Sequence, residues 1–148
     1  MKNIIILVAL TLVTSISVAQ QAQKNLLKTF DLNGQTTIVL NLDGDVNIER
    51  WNNSTVRVQM DISYENASIN IMKYLITKGR YNLTMSPKAD GFAVEHPNKT
   101  DSPKISKDGT LLKEKIVYTI VIPQDVTIII DEDSQTNVLN TEEMVVAQ

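Results

Sequence analysis

His96 is the single histidine of the chain, in the run Glu95-His96-Pro97-Asn98-Lys99, and there is no cysteine. One imidazole is the minimum for a Ser-His-Asp relay, in which it takes the nucleophile's proton and returns it to the leaving group. Here it stands directly before a proline, where the backbone is held extended or turning. No nucleophile-elbow motif occurs anywhere along the chain. The reading is an exposed loop histidine. Zinc would need more His or Cys ligands than this sequence owns, and thiol chemistry has no thiol.

Carboxylates offer a second chemistry. Asp43 and Asp45 flank Gly44, and Asp131, Glu132 and Asp133 run together. Calcium takes six to eight oxygens and imposes a ligand spacing that neither cluster has. Both read as a turn and a solvated strand exit. Carboxylate pairs of the kind that hydrolyse glycosides meet only in space, so sequence alone leaves them open. Trp51 reads as a cover for one end of the core, an exposed sugar-stacking residue being the alternative. On these grounds no catalytic, cofactor-binding or metal-ligating residue is assigned, and no cofactor is expected.

The elements that would position these residues are mostly strands. Thr55–Tyr64 is the clearest, with Val56, Val58, Met60, Ile62 and Tyr64 alternating with Arg57, Gln59, Asp61 and Ser63. Upstream, Leu26–Leu32 and Thr36–Leu42 read as strands, and Asp43-Gly44-Asp45 is a hairpin signal before Val46 and Ile48. Ile69, Met72 and Ile76 recur at helical spacing, widened by Ile71 and Leu75. Asn66 or Ser68 is the candidate cap and Gly79 the stop. Tyr81–Met85 returns to strand alternation and is expected to end at Pro87. Phe92–Glu95 is a brief strand, and Pro97–Thr110 a mixed-charge loop. Leu112–Ile122 is expected to lie centrally, and Val126–Ile130 to be buried on both faces. After Asp131 the pattern fades into a polar tail.

The first nineteen residues obey different rules. Lys2 gives a positive start, Ile4–Val13 is apolar apart from Thr11, and Ser17-Val18-Ala19 places small residues at both cleavage-defining positions. This predicts a secretory signal peptide over residues 1–19, cut before Gln20. The rest divides into a β-rich domain over 20–131 and a polar tail over 132–148. An exported chain without cysteine must be held together by burial and strand pairing. Asn52, Asn53, Asn66, Asn82 and Asn98 open N-x-S/T sequons; the short apolar leader is of the bacterial type, and in a bacterial chain these read as coincidence. With 14 Lys plus Arg against 17 Asp plus Glu, there is no basic face to neutralise phosphates, so nucleic acid is excluded as a partner. No second long apolar run is present to span a membrane.

Gly44–Met60, Asn66–Met85 and Tyr118–Ile130 together resemble the adhesin-like domains of unknown function found in bacterial envelopes, including the adhesin head-domain family. There a G-D-V-x-I rung precedes a V-x-V rung, then a helical insert, then two strands joined by a proline turn. The resemblance runs from Leu26 to Ile130 and implies stacked β rungs. Residues 131–148 lack the glycine-bearing rungs with which such chains continue, which implies a solenoid's capping end or a compact sandwich relative.

The expectation is a mainly β fold, a short β-solenoid or β-sandwich with one short helix. Function follows as a non-catalytic, adhesin-like binding or structural module, exported to the periplasm or cell exterior. Its partners would be an envelope protein, a glycan or its own copies. The alternative is a small-ligand carrier or enzyme with a pocket between sheet and helix.

Overall fold

The computed structural model describes residues 21–65, 67–89, 91–97, 106–107 and 109–140. The predicted leader and the sequons at Asn66 and Asn98 lie outside them. In chain order the elements are β1 (Ala22–Asp31), β2 (Thr37–Asn41), β3 (Gly44–Trp51), β4 (Thr55–Tyr64), α1 (Ile69–Thr77), β5 (Thr84–Lys88) and β6 (Gly91–Glu95). They continue with β7 (Ser106–Lys107), β8 (Thr110–Leu111), β9 (Glu114–Pro123), β10 (Thr127–Ile130) and β11 (Thr136–Val138).

Two sheets face each other. One has five strands in the order β1-β4-β9-β3-β11, the other four in the order β10-β2-β6-β5, while β7 and β8 form a separate small hairpin. The alternation in β4 holds at every position, with Val56, Val58, Met60, Ile62 and Tyr64 all buried. These side chains meet Ile38, Leu40, Leu42, Val46, Tyr118, Ile120 and Ile122 in one continuous core. Each large apolar side chain so buried contributes about 1.5–3 kcal/mol. The fold is mainly β, with a single short helix among the described residues, as the sequence predicts.

The connectivity differs from a run of hairpins. Asp43-Gly44-Asp45 does not fold β2 back on β3; it turns the chain from the four-stranded sheet into the five-stranded one. β10 passes to β11, and β6 to β9, between the same two sheets. As a result β10, β2 and β6 are parallel neighbours in one sheet, and β11, β3 and β9 in the other. Three two-strand rungs are thereby stacked side by side. The hairpin signal misleads because Asp-Gly marks any sharp turn, and long-range parallel partners outcompete the local pairing. At that corner Gly44 has φ +143°, and a Cβ there would lie 2.6 Å from the Ile116 carbonyl oxygen. Only glycine suits both the conformation and the space.

Further differences follow from edges. β5 runs through Pro87 instead of ending before it, since an outermost strand has no partner to miss the absent N–H. β10 is also outermost: Ile128 is buried, Ile129 and Ile130 only half so. β7 and β8 pair within the stretch expected to be loop. In the polar stretch after Asp131, β11 pairs with β3. The expectation for Leu112–Ile122 holds, because β9 occupies the middle of its sheet. In α1 the Ser68 hydroxyl accepts from the Ile71 amide at 3.4 Å, Met72 and Leu75 are buried, and Gly79 follows with φ +76°.

Candidate functional site

The corners between the sheets gather the polar residues singled out by type. His96 follows β6 and is half-buried, its Nε2 2.9 Å from the Tyr118 hydroxyl of β9. It is therefore not an exposed loop histidine. Its partner is a phenol at the core, wholly inaccessible to solvent. Burial, and then the negative charges of Asp43 and Glu114, push the Tyr118 pKa far above the ordinary phenol value. The phenol therefore stays protonated near neutral pH.

The acidic clusters build turns. Asp43 Oδ1 accepts from the Gln135 amide at 3.2 Å, and Asp45 Oδ1 accepts from Asn137 Nδ2 at 3.0 Å. Between them Thr136 Oγ1 donates to the Leu42 carbonyl at 2.5 Å. Asp131 Oδ1 accepts from the Asp133 amide at 3.1 Å, closing the corner between β10 and β11. Asp43, Gly44, Asp45, Glu114, Lys115, Ile116 and Gln135 line a groove of ≈ 340 Å³ along this edge. Among the described residues no three His, Cys, Asp or Glu side chains converge as metal ligands.

One cluster went unnoticed in the sequence. Glu114 Oε1 accepts from the hydroxyls of Tyr64 (2.7 Å) and Tyr81 (2.5 Å) and from Arg80 Nε (3.1 Å). Its Oε2 accepts from Arg80 Nη2 at 2.9 Å, and both charged side chains are only 15% exposed. Burial alone would raise the Glu114 pKa, but the hydrogen bonds from Arg80, Tyr81 and Tyr64 hold it below the ordinary carboxylate value. Burial pushes the Tyr64 pKa up to about 12. The cluster ties the segment after α1 to β4 and β9. Its only sequence signal is that Tyr64 and Tyr81 occupy apolar positions, where a phenol still needs a partner.

Trp51 is half-buried at the end of β3. Its Nε1 donates to the Thr55 carbonyl at 2.8 Å, and the Arg57 guanidinium lies 4.8 Å from the ring centre. It braces the turn into β4 and does not cap the core.

The outer face of the five-stranded sheet is differently furnished. One register row across it reads Asn25, Asp61, Val117, Asp45, Asn137, and the next reads Leu27, Gln59, Thr119, Asn47. Asn25 Nδ2 donates to Asp61 Oδ1 at 2.7 Å. Gln23, Asn25, Asp61, Ser63, Lys115 and Val117 are among the residues lining a second groove, of ≈ 470 Å³. Side-chain amides and carboxylates so arrayed donate and accept hydrogen bonds.

No protein-family model matches the chain, and no curated protein sequence matches it. Among solved structures it is similar to a candidate cell adhesion protein from Clostridium sporogenes, at 15% identity and a TM-score of 0.39 over 73% of this chain and 45% of that one. It is also similar to candidate adhesins from Parabacteroides merdae and Parabacteroides distasonis. Both are 10% identical over 83% of this chain and 50% of theirs, with TM-scores of 0.34 and 0.35. The chain spans about half the length of each of these structures. No helix among the described residues is long and apolar enough to cross a membrane.

Proposed function

We propose that this chain is a non-catalytic, adhesin-like binding module, exported by a leader over residues 1–19. The observation that carries the reading is the outer face of the five-stranded sheet. Its two rows of mostly amide, hydroxyl and carboxylate side chains, with Leu27 and Val117 among them, lie across all or most of the five paired strands. The groups with catalytic potential are engaged elsewhere, His96 by Tyr118 and Glu114 by Arg80, Tyr64 and Tyr81. The partner is an envelope protein or a glycan, either of which presents the hydroxyls and amides that such a face can match. The rival reading, a carrier or enzyme, needs a pocket between sheet and helix; Met72, Leu75, Tyr81 and Leu83 fill the core at that place.

The test is capture of a partner from bacterial envelope extracts, with glycan arrays alongside. Asp61→Arg, in the middle of the face, should abolish capture, and His96→Ala should leave it intact. Loss of function in a folded His96→Ala protein would overturn the non-catalytic reading. Export is tested separately by intact mass: the recovered chain should begin at Gln20, and retention of Met1–Ala19 would refute the leader.

A further inference from the structure

The two ends of the sandwich carry opposite charge. At one end the five-stranded sheet stops at β11 and the four-stranded sheet at β10; at the other they stop at β1 and β5. The β10/β11 end holds Asp125, Asp131, Glu132 and Asp133, with no Lys or Arg from Gln124 to Asn140. The nearby Arg50 is committed inward, its Nη1 donating to the carbonyls of Pro123 (3.3 Å), Gln124 (2.8 Å) and Val126 (3.1 Å). The β1/β5 end holds Lys24 and Lys28 on β1, Lys73 on α1, Lys78 just after it and Lys88 on β5, all exposed. Opposing acids there among the described residues are Asp31 at the end of β1, Glu65 in the turn after β4 and, one strand in, Asp61 and Glu95, the last lying 3.9 Å from Lys88. The positive charge of this end therefore rests on Lys24, Lys28, Lys73 and Lys78. Each end also exposes apolar surface, Leu139 (52%) at the acidic end and Leu27 (60%) and Tyr74 (59%) at the basic one.

We infer that copies of this chain associate head to tail, the acidic β10/β11 end of one docking on the basic β1/β5 end of the next. The inference goes beyond the binding-module reading: it concerns the two ends of the sandwich and not the outer face, and its partner is a second copy. Charge complementarity selects that partner. Two acidic ends repel, as do two basic ones, so a two-fold contact is disfavoured and a heterologous one favoured. Geometry agrees, because β11 and β1 are opposite edges of one sheet, and β10 and β5 of the other. A single shift along the stack therefore brings like sheet beside like sheet. Lys24 and Lys28, together with Pro87, discourage full strand addition at the basic end. The contact is thus made chiefly by exposed charge with Leu139, Leu27 and Tyr74, which makes it weak and sensitive to salt.

Sedimentation velocity of the purified chain tests this. Self-association should be concentration-dependent at about 0.05 M salt and weaken about tenfold or more near 0.5 M. Glu132→Lys/Asp133→Lys and Lys24→Glu/Lys28→Glu alter exposed positions only, and circular dichroism should show both variants folded. Each alone should be monomeric. Mixed one to one, they should associate again, because each retains the end the other has lost. A wild type that stays monomeric at low salt overturns the inference, and so do variants that associate like wild type or a mixture that stays monomeric. Capture of an envelope partner by a monomeric wild type would refute head-to-tail docking alone. Self-association of a chain that captures nothing would count against the outer-face reading alone.

Discussion

Asn140 completes a strand ladder with its side chain. Its Oδ1 accepts from the Ile48 amide at 2.8 Å, and its Nδ2 donates to the Ile48 carbonyl at 2.6 Å. One residue earlier the main chain still pairs, the Leu139 amide donating to the Val46 carbonyl at 2.9 Å. The amide group thus stands in for the next peptide of β11. Asn140→Ala should cost about 1 kcal/mol, and the Ile48 amide should exchange its hydrogen measurably faster. Unchanged protection at Ile48 would show that the contact is not maintained in solution.

The Glu114 cluster gives stability a pH dependence. A carboxyl held below its ordinary pKa in the folded chain contributes stability above its unfolded pKa, about 4.3, and loses it as pH falls through the folded value. Glu114→Gln should destabilise the protein by about 3 kcal/mol at neutral pH, because Arg80 is left without its carboxylate. It should also flatten the acid limb of the stability curve below about pH 4. Denaturant titrations across that range decide the matter; an acid limb identical in both proteins would assign the dependence to other carboxylates.

The register of β4 can be tested by neighbours. Val58 is wholly buried, and Gln59 lies on the outer face. Val58→Asp should cost several kcal/mol, on the order of 3–5, because an unpaired charge enters the core. Gln59→Asp should cost less than about 1 kcal/mol, most of it from the carboxylate of Asp61 two residues on. Equal losses in chemical denaturation would refute the pairing.

Gly44 provides a test of the corner. An alanine there combines an unfavourable backbone conformation with a Cβ 2.6 Å from the Ile116 carbonyl oxygen. Gly44→Ala should therefore destabilise by about 2–4 kcal/mol, whereas Gly34→Ala, at φ +83° with nothing within 4 Å, should cost about 1 kcal/mol. Melting temperatures of the two variants would separate steric from purely conformational cost.

What the sequence revealed was what short-range pattern can carry. The alternation from Val56 to Tyr64 fixes which face is buried, and Ser68 and Gly79 bracket the helix. Partner choice was illegible, since Asp43-Gly44-Asp45 looks the same whether it closes a hairpin or turns a corner between sheets. β11 has no sequence signal because three residues contain no period; besides its pairing with β3 it is held by a threonine reaching Leu42, just after β2, and two asparagines reaching β3. The burial of His96 is illegible for the same reason, as nothing near it in sequence announces Tyr118. The Glu114 cluster joins residues 64, 80, 81 and 114, a spacing without any local signature.

The wedging of β9 between β3 and β4 has a kinetic consequence. β3 and β4 are consecutive in the chain and separated by three residues, yet each pairs with β9 instead of with the other. The amino-terminal half therefore cannot finish its sheet; it holds a slot until residues 114–123 arrive. β2 and β3 must likewise wait for β10 and β11, some ninety residues away. Loop closures of this length precede the contacts that reward them, which places refolding in the millisecond-to-second range typical of non-local β topologies. A chain still emerging could pair β1 with β4 but could complete neither sheet until its last strands were free, so it would lack the finished core that resists threading through a translocation channel.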